Sequence, residues 1–331
     1  MGAGSQNGIA NISYTEFLLR PFPGVQESRH FLAIPFFGLF LFIITANSAL
    51  IYTVRSQESL HSPMHLLTAF LFAVDICGTV TVVPKMLLSL MFRISRISLT
   101  SCLVQMFFIY FSTALDCNTL FMMALDRYVA ICHPLHYPDI MTSKLLALLI
   151  FASVMWSITI VGPVVILASR VQFCRSSVIS HFACEHMALM RLSCGNISIN
   201  KTVGLALRCI FMIFNLSFLL TSYSKIVHTA LKISPGSVRH KAFHTCGTHL
   251  MVIFLVYTSR LSSSIVFRLA RNASQDIHNL ISAIYLLLPW TVNPIIYGVR
   301  MKEIKDNLLK LCQRICPPHR NFKATSSSNA C

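Results

Sequence analysis

The chain has 331 residues, of which 55% are hydrophobic and only 11% charged, and it carries a net charge of +16. A soluble domain has about 25% charged residues, and the apolar residues here fall in long blocks between short polar stretches. The pattern implies lipid as solvent, and the Lys and Arg residues lie in the gaps between blocks rather than in one patch, which excludes a nucleic-acid surface.

Residues 1–30 are polar, contain Pro21, Pro23 and Gly24, and are expected to form an extracellular N-terminal tail. The first apolar run, Phe31–Val54, exceeds the roughly 7–15 residues of a signal-peptide core and is long enough to cross a bilayer, so it reads as an uncleaved anchor. Further runs follow at Pro63–Leu90, Cys102–Ala130, Leu145–Ser169, Val203–Leu231, Ala242–Phe267 and Ile277–Val299. Each exceeds the ~20 residues that a helix needs to cross ~30 Å of hydrocarbon. Backbone groups in lipid must pair within their own segment, so helices are expected. Pro84, Pro163, Pro289 and Pro294 lie inside runs and predict kinks. The expected fold is an all-α membrane protein, a seven-transmembrane helix bundle over 31–299. A cytoplasmic tail over 300–331 follows, with a short amphipathic helix at Lys302–Leu311. Beyond it, Cys312 and Cys316 are either palmitoylation sites or free thiols. No repeat relates the two halves, which counts against an inverted-repeat transporter.

The positive-inside rule is nearly silent, because the 27 Lys and Arg residues divide almost evenly between the two sides. Glycosylation acceptors begin at Asn11, Asn196 and Asn272, all on one side, which places the N-terminus outside the plasma membrane. Asn215 heads a fourth acceptor but lies within span five, out of reach of a glycan. Cys102, Cys174, Cys184 and Cys194 share the glycan side, where disulfides persist; four cysteines allow three pairings. His181, Glu185 and His186 are potential metal ligands, but a polar loop is the simpler reading and no metal is expected.

Ionisable residues inside a span need a reason, since an Asp at a helix centre costs about 2.5–3.5 kcal/mol on insertion scales. Asp75 and Asp116 are mid-span, with Asn47, Ser112 and Asn293 also intramembrane. Such a cluster could hold Na⁺, share a proton, or only fasten the helices; no other cofactor is expected. Asp126-Arg127-Tyr128 ends span three, where a local ion pair could open when a partner protein docks.

The longer string Met123-Ala124-Leu125-Asp126-Arg127-Tyr128-Val129-Ala130-Ile131-Cys132 resembles the olfactory receptor family of rhodopsin-like G-protein-coupled receptors. So do Pro63-Met64-His65, Ser222-Tyr223, Lys241-Ala242-Phe243-His244-Thr245-Cys246 and Asn293-Pro294-Ile295-Ile296-Tyr297; the likeness runs from about Phe17 to Lys310. His181–His186 and Leu286-Leu287-Leu288-Pro289 resemble the class I, fish-like branch. Departures are Ala46 for Gly, Leu125 for Tyr, Asp116 for Glu, and the unusual Tyr257-Thr258-Ser259-Arg260, which leaves the ligand class open.

The resemblance implies pairing of Cys102 with Cys184 and of Cys174 with Cys194, the first holding a loop over the bundle mouth. It implies an odorant site in the outer half, lined by Ile109, Tyr110, Thr113, Ala114, Leu207, Arg208, Phe211, Tyr257, Arg260, Leu261, Ser264 and Ile284. Arg208, Arg260 and Arg268 near the outer span ends suggest a water-soluble, anionic odorant, with Glu185 and Asp276 as the only nearby acids; snorkelling to headgroups is the bland alternative. Asp126, Arg127, Tyr128, Tyr223, Lys241, Asn293, Pro294 and Tyr297 would form the switch for a heterotrimeric G protein of the stimulatory olfactory type, raising cyclic AMP. The alternatives are a receptor for an endogenous metabolite outside the nose, or a transporter or channel. An enzyme is not expected: His133 and His136 flank a proline on an inner loop, and no nucleophile–base pair lies within a span.

Overall fold

The computed structural model describes residues 13–25, 27–92, 95–232, 236–269, 274–301 and 303–308. Seven long helices dominate: α1 (Arg29–Ser56), α2 (Pro63–Phe92), α3 (Leu99–Cys132), α5 (Ser143–Ser169), α7 (Ser198–Lys232), α8 (Ser237–Leu269) and α9 (Gln275–Arg300). Two short helices, α4 (Tyr137–Ile140) and α6 (His186–Met190), lie in connections. Residues 303–308 are also helical, inside the expected Lys302–Leu311; Cys312 and Cys316 lie outside the described residues. Six of the long helices are apolar enough over sufficient length to cross a bilayer, and α8 contributes the apolar stretch Cys246–Leu261.

The helices overrun the apolar blocks because polar residues cap them. Ser98 Oγ accepts from the Ser101 N–H at 3.2 Å, Thr142 Oγ1 from Leu145 at 3.3 Å and Ser274 Oγ from Ile277 at 3.4 Å, so donors left over at each first turn are satisfied. Hydroxyls within the spans return to their own backbone: Thr79 to Asp75 O, Thr113 to Ile109 O and Thr119 to Leu115 O, each at 2.7 Å. These three hydroxyls are thus satisfied without water.

Helix α3 is the central post. In its most apolar window 67% of residues are buried, against 17% in α1. It packs on α2, α5, α7 and α8, while α9 closes the ring against α1, α2 and α8. Large apolar side chains such as Phe31, Leu148, Phe151, Ile213, Leu220 and Phe254 face outward, each more than half exposed. No soluble monomer displays such a girdle; the chain is a multi-pass membrane protein. Where α2 meets α9, a Cβ on Gly78 would overlap the Trp290 ring, so this crossing requires glycine.

One end of the bundle carries a cap that the all-helical expectation lacked. Strand β1 (Glu16–Leu19) lies between β2 (Arg96–Ser98), antiparallel, and β3 (Val178–Ile179), parallel. Its alternation puts Phe17 and Leu19 inward, against Ile97, Phe173 and Ile179. The Gly24 N–H donates to both Asp276 carboxylate oxygens, at 3.2 and 3.0 Å, binding the segment before α1 to the first turn of α9. The N-terminal segment is thus built into the cap.

Candidate functional site

Under the cap lies a cavity of about 1010 Å³ between α3, α5, α7, α8 and the connection that precedes α7. Its roof is that connection, fixed to α3 by the Cys102–Cys184 disulfide, with Cα atoms 5.3 Å apart. Gln105 on α3 reinforces the tether: its Oε1 accepts from the Cys184 N–H at 3.0 Å while its Nε2 donates to Thr81 O at 2.9 Å. The Tyr110 hydroxyl accepts from the His186 N–H at 3.1 Å. A second disulfide joins Cys174 to Cys194, closing the connection on itself.

The walls are apolar, with Ala114 from α3, Ile160 and Val164 from α5 and Phe211 from α7. The charged lining is lopsided: Arg175, Arg191, Lys201, Arg208 and Arg260 face one acid, Glu185. Burial pushes the Glu185 carboxyl up to about 7, although Arg208 and Arg191 pull it down. Its neighbour His181, with Nε2 3.4 Å from Glu185 Oε2, is held down at about 4 by burial, against the opposing effect of its bond to Ala183 O. Burial also lowers His186. The imidazoles are therefore neutral near pH 7 and add no positive charge to the roof.

At the floor, Arg208 Nη2 donates to the Arg260 carbonyl at 3.2 Å. Arg260 itself turns into the bundle. Its guanidinium pairs with Asp116, donates to Thr113 O and lies 3.2 Å from Cys117 Sγ.

Several sequence expectations are corrected here. Arg260 does not depend on Glu185 or Asp276 for a counter-ion: Asp116 supplies it, and Asp276 serves Gly24. Within the Asn47, Asp75, Ser112, Asp116 and Asn293 group, the Asn293 amide joins the two carboxylates, while Asn47 and Ser112 turn to their own backbone. Asn293 Nδ2 donates to both Asp75 oxygens at 3.2 and 3.1 Å, Asn47 bonds Ile43 O at 2.8 Å, and Ser112 bonds Phe108 O at 2.7 Å. A guanidinium stands on Asp116 as its counter-ion. Leu261 and Ile284 point outward, 41% and 49% exposed, because each sits one residue from an inward position, about 100° away around the helix. Ile109 packs instead among α2 and α9 residues, and Tyr257 is buried in the core beside Cys117.

Tyr110, Thr113, Ala114, Leu207, Arg208, Phe211 and Arg260 do line the cavity. The side chains of Ser264 and Arg268, and all of Asn11 and Asn272, lie outside the described residues. Asn196 is exposed on the cap side, its Oδ1 accepting from Ser198 N–H at 2.9 Å. Sequence reasoning missed the α5 wall, Tyr285, the roof cations Arg175 and Arg191 and Lys201 of α7 as lining residues, because nothing in the periodicity of one segment reports which neighbour it meets.

At the opposite end, Arg127 Nε is 3.6 Å from Asp126 Oδ2, and the Tyr137 hydroxyl donates to Asp126 Oδ1 at 2.8 Å. Tyr128 lies under Lys225, 5.7 Å from its ring centroid. The Tyr223 hydroxyl bonds His249 Nδ1 at 2.9 Å, and the His249 ring is 5.8 Å from that of Tyr297. His249, unremarked in the sequence, joins α7, α8 and α9 here. Pro294 lies inside α9 next to Asn293, and the Lys241 side chain is outside the described residues. His65 Nε2 is 3.1 Å from Glu303 Oε2, which ties α2 to the 303–308 helix.

Comparison with known proteins agrees with this arrangement. A family profile described as olfactory receptor matches residues 36–314. Human olfactory receptor 52K1 is 38% identical over 308 residues, 92% of this chain and 98% of that protein. Human olfactory receptor 52K2 is 37% identical over 310 residues, 94% of this chain and 99% of that protein. Among solved structures, squid rhodopsin superposes with a TM-score of 0.71 over 88% of this chain and 87% of its own, at 14% identity, a likeness of fold. The cap, the cavity beneath it and the Asp126-Arg127 pair at the far end thus belong to a non-enzymatic membrane receptor, and the chain is a member of the olfactory receptor family within the rhodopsin-like G-protein-coupled receptors.

Proposed function

We propose that this protein is an odorant receptor of the class I branch. It takes a small, water-soluble carboxylic acid into the cavity and activates a heterotrimeric G protein of the stimulatory olfactory type, raising cyclic AMP. The observation that carries the ligand class is the charge of the lining: five cationic side chains, of which, among the described residues, only Arg260 is paired with an acid behind the wall, against the single lining acid Glu185. A guanidinium gives a carboxylate two parallel charge-assisted bonds, and the apolar α5 and α7 walls suit an alkyl chain. The N-terminus and cap lie outside the plasma membrane in this reading, with Asn196 and the acceptors at Asn11 and Asn272 available for glycosylation, and the Asp126-Arg127 end faces the cytosol.

Ligand closure on the cavity would shift α7 and α8 relative to α3. Arg127 would leave Asp126 and open a cleft for the G protein, while Tyr223 and Tyr297 re-pair around His249. Lys232, Arg239 and Lys241 would meet acidic surfaces of that partner.

The test is cyclic AMP accumulation in cells expressing the receptor, against straight-chain acids, alcohols and aldehydes of matched length. Acids should activate, and Arg127→Ala should abolish the response without removing the protein from the surface. A response to alcohols and aldehydes alone would overturn the acid reading; a response unaffected by Arg127→Ala would overturn the coupling route.

A further inference from the structure

Arg260 belongs to two structures at once. It lines the cavity, and its guanidinium is paired inside the bundle with Asp116, which is wholly buried. It also holds Thr113 O and approaches Cys117 Sγ, so three α3 positions within about one helical turn grip one α8 side chain. Arg208 reaches Arg260's own carbonyl from α7. Asp116 in turn faces the Asn293 amide, which donates to Asp75. A continuous polar chain therefore runs from the cavity floor through α8 and α3 to α9 and α2.

We propose that Asp116 is an internal competitor for the ligand: it occupies the Arg260 guanidinium as a carboxylate odorant would, and an acid binds by drawing Arg260 away from it. This rests on the anionic-ligand reading above and specifies how that site is regulated. Three physical points favour competition over simple addition. A carboxylate satisfies one face of a guanidinium fork, and Asp116 already holds Nη2 while Thr113 O and Cys117 hold Nη1. The pair is buried, so neither partner can be solvated when separated, and the exchange favours only a ligand that itself supplies a full charge. An alcohol of the same length fills the apolar walls but offers Arg260 no replacement for Asp116. Asp116 thus acts as a specificity-determining residue that rejects neutral molecules as activators, and release of Arg260 loosens the α3–α8 grip next to Asn293.

The experiment measures binding of octanoate and octan-1-ol to the purified full-length receptor, as wild type, Asp116→Asn and Asp116→Asn/Arg260→Gln. Competition predicts that Asp116→Asn binds octanoate about tenfold or more tightly than wild type, that octan-1-ol is unchanged, and that the double variant loses the gain. Because Asp116→Asn leaves a buried cation, a second measurement uses the otherwise intact protein. Distances between spin labels at the outward-facing Val104 and Leu261 should change on saturation with octanoate and stay put with octan-1-ol. Equal octanoate affinity in wild type and Asp116→Asn, or an unchanged label distance, overturns the competition while leaving the acid reading in place. Failure of wild type and Asp116→Asn alike to bind octanoate, with octan-1-ol bound, overturns both.

Discussion

Removing one member of the Asp116–Arg260 pair should cost more stability than removing both. The side chains are 0% and 5% exposed, so the 0–1 kcal/mol typical of surface pairs does not apply. Breaking a buried pair from one side leaves an uncompensated charge and costs about 3–5 kcal/mol. Asp116→Asn and Arg260→Gln should each lose that much, and simple addition would give about 6–10 kcal/mol for the double variant. The two neutral amides can still hydrogen-bond across the same gap, so the double variant should lose only about 1–2 kcal/mol. The coupling is then several kcal/mol, well above the error of an unfolding measurement in detergent or nanodiscs. Single variants that each cost less than about 1 kcal/mol, with losses that add, would show that the pair is solvated and refute the buried contact.

Three further outcomes follow from the geometry. His181 is held at about 4 from 6.5, so the stability it contributes is lost as pH falls from 6.5 to 4; Glu185 is raised from 4.5 to about 7, so its contribution falls as pH rises over 4.5 to 7. These slopes oppose each other, and Glu185→Gln should unmask the His181 slope, with a melting temperature that rises from pH 4 to 6.5 by an amount reflecting about 3 kcal/mol; an equally flat profile in both proteins contradicts it. Gly78→Ala should destabilise by about 1–3 kcal/mol through overlap with Trp290, and Trp290→Phe in the same chain should recover part of the loss in a thermal-shift assay. Replacing both Cys174 and Cys194 by Ser removes a link spanning 20 residues, worth about 3 kcal/mol in chain entropy, and should speed proteolysis between them while leaving Cys102–Cys184 intact by mass spectrometry.

The spans were legible because lipid imposes one rule on every residue of a crossing segment, and Phe31–Val54 or Leu145–Ser169 obey it without help from neighbours. Their ends were less so: Ser98, Thr142 and Ser274 extend helices by side-chain caps that hydropathy counts against them. The cap sheet was invisible, because strands of four, three and two residues are too short to show alternation and exist only through one another. Arg260 was legible as a buried cation in need of a partner, but not its partner, which lies 144 residues away at a depth set by how α8 is staggered against α3. Leu261 and Ile284 show the same limit at smaller scale: the right turn of the right helix, one residue off, faces lipid.

The cationic cavity as a carboxylate site is tested most directly by the affinity of purified receptor for a straight-chain acid before and after Arg208→Gln. Arg208 touches the Arg260 carbonyl rather than Asp116, so its loss leaves the buried pair in place. The account predicts an affinity at least about tenfold weaker for the acid, with the alcohol of equal length unaffected. Equal acid affinity in the two proteins would contradict it.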